Sequence, residues 1–208
     1  MKFVACVMWI VSKVYTYNLS LHLHSIRDII YTMWIRNFIG HVGENSRVAY
    51  PCSLQGGGEK HIIIGDHTNI QGYCIIGCHV TYLGQKYSPT IKIGDNCKIG
   101  EYCHITSCNN IIIGDGLLTG RFVTITDNAH GGLNEQESVV PPYERRLQSK
   151  GEVILGRNVW IGDKVTILPN VHIGNNVIIA ANAVVSSDVP DNSVVAGIPA
   201  RIVRKMEK

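Results

Sequence analysis

Charge is scarce in this chain. Lys, Arg, Asp and Glu make up 17% of its 208 residues and leave a net charge of +3, too small a balance to point to nucleic acid as a partner. Long apolar runs are missing as well. Residues 3–11 are apolar but fall far short of the roughly 18 to 20 residues a membrane span needs. No small-residue cleavage site follows them, so neither a spanning segment nor a removed leader is expected there. Seven cysteines are present without the paired spacing of a structural zinc site, Cys74, Cys78 and His79 included. At 45% hydrophobic residues the composition is globular rather than disordered, and the length suits one domain.

What is present is a period of six. An aliphatic residue returns at Leu155, Ile161, Ile167, Ile173, Ile179 and Val185, and four residues after each stands Val159, Val165, Val171, Val177, Ala183 and Val189. The same phase runs upstream through Ile64, Ile70, Ile76, Ile93, Ile99, Ile105, Ile113 and Ile125, with Thr119 in place of one aliphatic. Such a period is neither the 3.6 of a helix nor the alternation of a sandwich strand. It fits a parallel β-helix, in which each hexapeptide gives a short strand and a corner and one coil stacks on the next at about 4.8 Å. Gly follows the aliphatic at Gly65, Gly77, Gly94, Gly100, Gly114, Gly156, Gly162 and Gly174, where a corner with positive φ is expected. Cys74, Cys97 and Cys103 occupy the small position four after an aliphatic and read as buried, reduced thiols.

The organisation follows from that phase. Residues 1–47 carry no hexapeptide and read as an N-terminal helical cap, with Ser25 capping a helix that runs to Phe38 and ends at Gly40. A second reading rests Phe3, Trp9 and Trp34 on a membrane surface as a peripheral contact. Residues 48–197 hold the coils, interrupted by a short insertion at 82–90 and by a long loop at 127–151 that contains Pro141 and Pro142. Loops of that length in a compact fold are usually functional or disordered. Residues 198–208 form a C-terminal tail with Arg201, Arg204, Lys205 and Lys208.

The segments Ile64-Gly65-Asp66, Ile93-Gly94-Asp95 and Ile161-Gly162-Asp163 resemble the signature of the hexapeptide-repeat acyltransferases. Thr124-Ile125-Thr126-Asp127-Asn128-Ala129-His130-Gly131, followed after the loop by Asn158-Val159-Trp160-Ile161-Gly162, resembles the active-site region of maltose, galactoside and capsular polysaccharide O-acetyltransferases. Val195-Ala196-Gly197-Ile198-Pro199-Ala200-Arg201 resembles their closing motif. The resemblance implies an all-β fold built as a left-handed parallel β-helix, a homotrimer, acetyl-CoA as donor with no metal required, and active sites between neighbouring subunits. Handedness rests on the resemblance alone, since ordinary parallel crossovers are right-handed.

Acetyl transfer to a hydroxyl requires a base for the hydroxyl proton and an acid for the departing thiolate. One imidazole serves both, because an ordinary His titrates near pH 6.5. His130 matches the family's catalytic histidine and stands where the chain leaves the coils. Asp127 and Asn128 are candidates to orient it or to bind the acceptor, although both residue types commonly satisfy turns. His104 is a further acceptor-binding candidate; His61, His67, His79 and His172 read as solvated corner residues. The resemblance places the donor along Trp160, Asp163, Ala181 and Ser186, with Arg201 and Arg204 on the CoA phosphates. Ser186-Ser187-Asp188 stands where galactoside-type enzymes carry Thr-Lys before Asp, which puts one phosphate contact in doubt.

The function expected is therefore O-acetylation of a sugar or polysaccharide precursor, in the cytoplasm or at the inner face of the membrane. An amine acceptor is the nearest alternative, and a non-catalytic β-helix scaffold the one from a different class. A γ-class carbonic anhydrase would need zinc-binding histidines, and no His-x4-His pair exists here.

Overall fold

The computed structural model describes residues 1–132 and 135–205, so Lys208 of the basic tail lies outside the described residues. Its body is a stack of parallel coils with three faces. The first face runs from His41–Val42 to His172–Ile173, the second from Arg47–Val48 to Ala200–Lys205, and the third from Cys52–Gln55 to Val184–Val185. The period of six is the reason. On the first face Ile64, Ile93, Ile113, Leu155 and Ile173 stand in register; on the third, Ile76, Ile105, Ile125, Ile167 and Val185 do so. All of them are buried, as are Cys74, Cys97 and Cys103. Thr119 keeps its inward place by accepting from the Gly100 amide at 2.9 Å and donating to the Gly120 carbonyl at 3.0 Å.

The glycines that follow the aliphatics do not supply positive φ. The left-handed residues come three positions after the inward residue on the first two faces: His67, Tyr73, Asn96, Tyr102, Phe122, Asn158, Lys164, Asn176 and Asn182, with Asn170 likewise after Ile167 on the third. Glycine is needed for close stacking instead. A Cβ on Gly156 would stand 2.7 Å from the Gly174 carbonyl carbon, and one on Gly65 would meet the Asp95 carboxylate of the next coil. That carboxylate caps the corner of the preceding coil: Asp95 Oδ1 accepts from the Asp66 amide at 2.7 Å, and Asp115 Oδ1 from the Asp95 amide at 2.9 Å. Ile-Gly-Asp thus reads as an inward side chain, a close approach and a cap.

The fold is not all-β. Two helices, α1 (Lys2–Val14) and α2 (Tyr17–Ile35), precede the coils, as expected of a segment with neither Gly nor Pro before Gly40. Thr16, not Ser25, caps α2, its Oγ1 accepting from the Leu19 amide at 3.2 Å. Ser25 lies mid-helix and accepts from Arg47 at 3.2 Å. The coils begin at His41 rather than at 48. The C-terminal half of α2 closes the first coil with polar side chains as well as Ile35. Thr32 Oγ1 accepts from the Val48 amide at 3.1 Å, Tyr31 donates to the Cys52 carbonyl at 2.6 Å, and Asp28 accepts from the Tyr50 amide at 3.2 Å. Unpaired strand-edge groups are satisfied in this way. Among the described residues no single helix is long and apolar enough to cross a membrane; α1 and α2 together pass that test only as a pair bent by 61°.

Both interruptions leave the third face side by side. The shorter is a hairpin of Thr81–Tyr82 with Gln85–Lys86. The longer opens with Asn128–His130, which pairs antiparallel with Leu147–Ser149. Tyr82 donates to the Tyr143 carbonyl and Tyr87 to the Leu147 carbonyl, each at 3.0 Å, so the hairpin braces the loop.

Candidate active site

Alternation along the third face sends every second residue outward. Register places His104 between Ile75 and Thr124, and Thr106 between Gly77 and Thr126. The outer surface of the strands Cys74–Cys78, His104–Ser107 and Thr124–Thr126 is therefore made of one imidazole, three threonines and Ile75, with His130 at its rim on the loop.

Sequence reasoning took His79 for a solvated corner. It is half-buried instead, and its ring lies back over Gly77: a Cβ there would stand 3.0 Å from His79 Nε2 and 3.1 Å from Thr106 Oγ1. Burial is the main cause lowering the pKa of His79; the Asp127 carboxylate opposes it and His130 adds to it. Burial also lowers His104, with His79 contributing. Two imidazoles thus share one face with a third at its rim, and burial shifts the first two toward the neutral form. The missed signal was Gly77, a glycine at an outward strand position where the next two coils carry threonine.

His130 itself is exposed, its ring meeting Tyr82 edge-on at 5.3 Å between centroids. Gly131, at φ +75, turns the chain immediately after it, and its amide donates to the Arg146 carbonyl at 2.8 Å. Asp127 does not reach outward. It is fully buried, and its carboxylate accepts from Ser107 Oγ at 2.5 Å, the Cys108 amide at 2.9 Å, the Asn109 amide at 3.0 Å and Asn128 Nδ2 at 3.1 Å. Asn128 Nδ2 also donates to the Thr106 carbonyl at 3.1 Å. This pair anchors the base of the loop, the structural role that Asp and Asn take at turns.

The donor-side residues lie elsewhere. Trp160 is 52% exposed on the second face, in one cross-strand row with Ile178, Val194 and Arg204. Arg201 and Arg204 project from the last strand, which folds back antiparallel on Ser193–Gly197. Ala181 and Ser186 are exposed at corners. Asp163 Oδ1 accepts from the Arg121 amide at 2.8 Å, and the residue borders a shallow depression of about 440 Å³ shared with Glu101, Gly120 and Arg121. Within one chain, then, His130 and Trp160 occupy different faces. Among the described residues no group of His, Cys, Asp and Glu is arranged to hold a metal ion.

A family model described as bacterial transferase hexapeptide (six repeats) matches residues 152–187. The putative lipopolysaccharide biosynthesis O-acetyl transferase WbbJ of Escherichia coli (strain K12) is 32% identical over 194 residues, covering 91% of this chain and 90% of that protein. Among solved structures, the N-acyltransferase AntD from Bacillus cereus, in complex with dTDP and 3-hydroxybutyryl-CoA, superposes with a TM-score of 0.66 at 21% identity, over 84% of this chain and 87% of its own. A hexapeptide-repeat acetyltransferase from Vibrio cholerae O1 biovar eltor, complexed with acetyl coenzyme A, gives 0.54 at 26% identity, over 83% and 74%. Stacked hexapeptide coils, together with these relatives, place the chain among the acyl-transferring enzymes. The chain belongs to the hexapeptide-repeat acyltransferase family and is an acetyltransferase.

Proposed function

We propose that the enzyme moves acetyl from acetyl-CoA to a hydroxyl of a sugar or polysaccharide precursor, with His130 as general base. The observation that carries this reading is the surface beside His130. Thr106, Thr124 and the imidazoles of His79 and His104, which burial shifts toward the neutral form, line it with hydrogen-bonding groups and no carboxylate or ammonium, suited to hydroxyls rather than to an ionised acceptor. The name of the E. coli relative, an O-acetyl transferase of lipopolysaccharide biosynthesis, agrees with it.

In a ternary complex His130 takes the proton of the acceptor hydroxyl as the oxygen attacks the thioester carbonyl carbon. The tetrahedral intermediate collapses by breaking the C–S bond, and the imidazolium returns its proton to the thiolate. No acyl-enzyme forms. Backbone N–H groups in the cleft stabilise the oxyanion. Five of the seven cysteines, Cys52, Cys74, Cys78, Cys97 and Cys103, lie in the buried apolar core, away from a relay role.

Since Trp160 and His130 stand on different faces of one chain, the complete site joins two chains of a homotrimer of left-handed coils. The coils from His41 to Gly197 form its catalytic domain, the two helices before them the cap and residues 198–208 the tail. Trp160 lines the thioester, and the pantetheine arm passes Asp163, Ala181 and Ser186. The row from Trp160 to Arg204 spans three strand spacings, roughly 14 Å, which brings Arg204, with Arg201, toward the CoA phosphates. The enzyme works at the cytoplasmic side of a membrane, touching it through the N-terminal segment.

Calorimetric titration with acetyl-CoA tests the donor half, and one molecule bound per chain is expected. An acceptor screen beside His130→Ala tests the rest: transfer should fall by about 10²–10⁴-fold while donor binding stays. Absence of binding by a folded trimer overturns the proposal in favour of a scaffold.

A further inference from the structure

We infer that α1 lies in the plane of an anionic phospholipid bilayer, sunk into one leaflet over most of its circumference. This rests on the membrane contact proposed above and assigns it a segment, a depth and a lipid class.

The helix buries none of its residues against the rest of the chain, although Phe3, Val4, Met8, Trp9, Ile10 and Val14 are all more than half exposed. Its charged residues are Lys2 and Lys13. With Cys6 and Trp9 they follow the spacing four, three, four, which sets all four on one stripe of an α-helix. Lys13 Nζ indeed stands 5.0 Å from the Trp9 ring centre. The other polar side chain, Ser12, donates its hydroxyl to the Trp9 carbonyl at 2.7 Å and so needs no water. Around the remaining circumference every side chain is apolar.

That distribution selects the occupant. A second helix or a neighbouring copy covers one strip of a helix, whereas an apolar surface on several sides calls for a medium that surrounds it. Hydrocarbon does so while the lysine stripe stays at the headgroups, with Trp9 in the interfacial layer it favours. The charge is complementary to anionic lipid: residues 1–27 include Lys2, Lys13 and Arg27 and no acidic residue. The depth follows from length. Thirteen residues reach roughly 20 Å, short of the ~30 Å hydrocarbon core. α2 cannot complete a span, because Asp28, Tyr31 and Thr32 fasten it to the first coil. Its first half, from Tyr17 to His24, has no buried residue and stands as a stalk between leaflet and coils. An acceptor carried on a lipid would then meet the catalytic face without leaving the membrane.

Flotation of the full-length protein with vesicles tests this without donor or acceptor. Vesicles of phosphatidylcholine and phosphatidylglycerol in equal parts should carry the protein up the gradient. The double substitution Val7→Glu, Ile10→Glu should reduce that partition by more than about a hundredfold. Lys2→Glu with Lys13→Glu should reduce it by about thirtyfold on anionic vesicles and far less on phosphatidylcholine alone. Lipids brominated near the headgroup should quench Trp9 more than lipids brominated near the chain end, with the difference lost in Trp9→Leu. Acetyl-CoA titration of each variant separates the two proposals, since donor binding must survive in all of them. The inference is overturned if the folded wild type stays at the bottom of the gradient, if Val7→Glu, Ile10→Glu floats unchanged, or if that variant instead breaks up a lipid-free assembly of copies.

Discussion

At the scale of single residues, the site depends on a missing side chain. Gly77 leaves the space in which the His79 ring lies, so Gly77→Ala should push the imidazole out of it and raise KM for the acceptor several-fold with donor binding intact; His79→Ala should match it in steady-state kinetics. The lowered pKa values of His79 and His104 carry a sign. Unfolded, both titrate near 6.5, so below that pH the unfolded chain binds more protons than the native one. Their contribution to stability is complete above about pH 6.5 and is lost as pH falls toward and through the native values. Melting temperatures measured from pH 7.5 down to 5 should fall, and fall less steeply in His104→Asn. His130 was legible from its motif and from the chain leaving the coils beside it. His79 was not, because it meets that site only through coils whose contact the order of residues does not announce. Asp127 misled for the opposite reason. A carboxylate directly after the end of a strand suits either an imidazole or a turn, and four donors within 3.1 Å settle it for the turn.

At the scale of the element, the corner makes two demands that glycine suits, close approach and positive φ, and the sequence reading merged them. The structure separates them by two residues. Gly156→Ala should therefore cost about 2 kcal/mol or more in chemical denaturation, since backbone rather than side chain must yield. Lys164→Gly, which relieves a φ of 57, should instead gain about 0.5–1 kcal/mol and raise Tm by roughly 2 °C. A signal for the second demand was in the chain: Asn96, Asn158, Asn170, Asn176 and Asn182 fill the position three after the aliphatic, and Asn tolerates left-handed backbone. The coils were legible because their period is fixed by stacking and nothing else competes with it. The helices were less so. Without turn residues to punctuate residues 1–39, propensity alone set their ends, and Thr16 caps nine residues before the expected Ser25.

At the scale of the whole molecule, the separation of His130 from Trp160 predicts complementation. Chains with His130→Ala and chains with Trp160→Ala, each weak alone, should regain acetyl transfer when co-expressed, because some interfaces then pair an intact His130 with an intact Trp160; two inert parents giving inert mixtures would place the site within one subunit. Size and stoichiometry in ultracentrifugation should report three chains. A stack of coils has a translational repeat, and any body with one can in principle go on growing. What stops it here is chemical: at one end Thr32, Tyr31 and Asp28 occupy the groups that another molecule's coil would use, and at the other the final strand reverses direction. A copy clipped after Ser20 would keep its stopper; one clipped after Ile35 would bare strand edges at one end only, so two such copies could close on each other, but the reversed final strand at the far end would still forbid a filament.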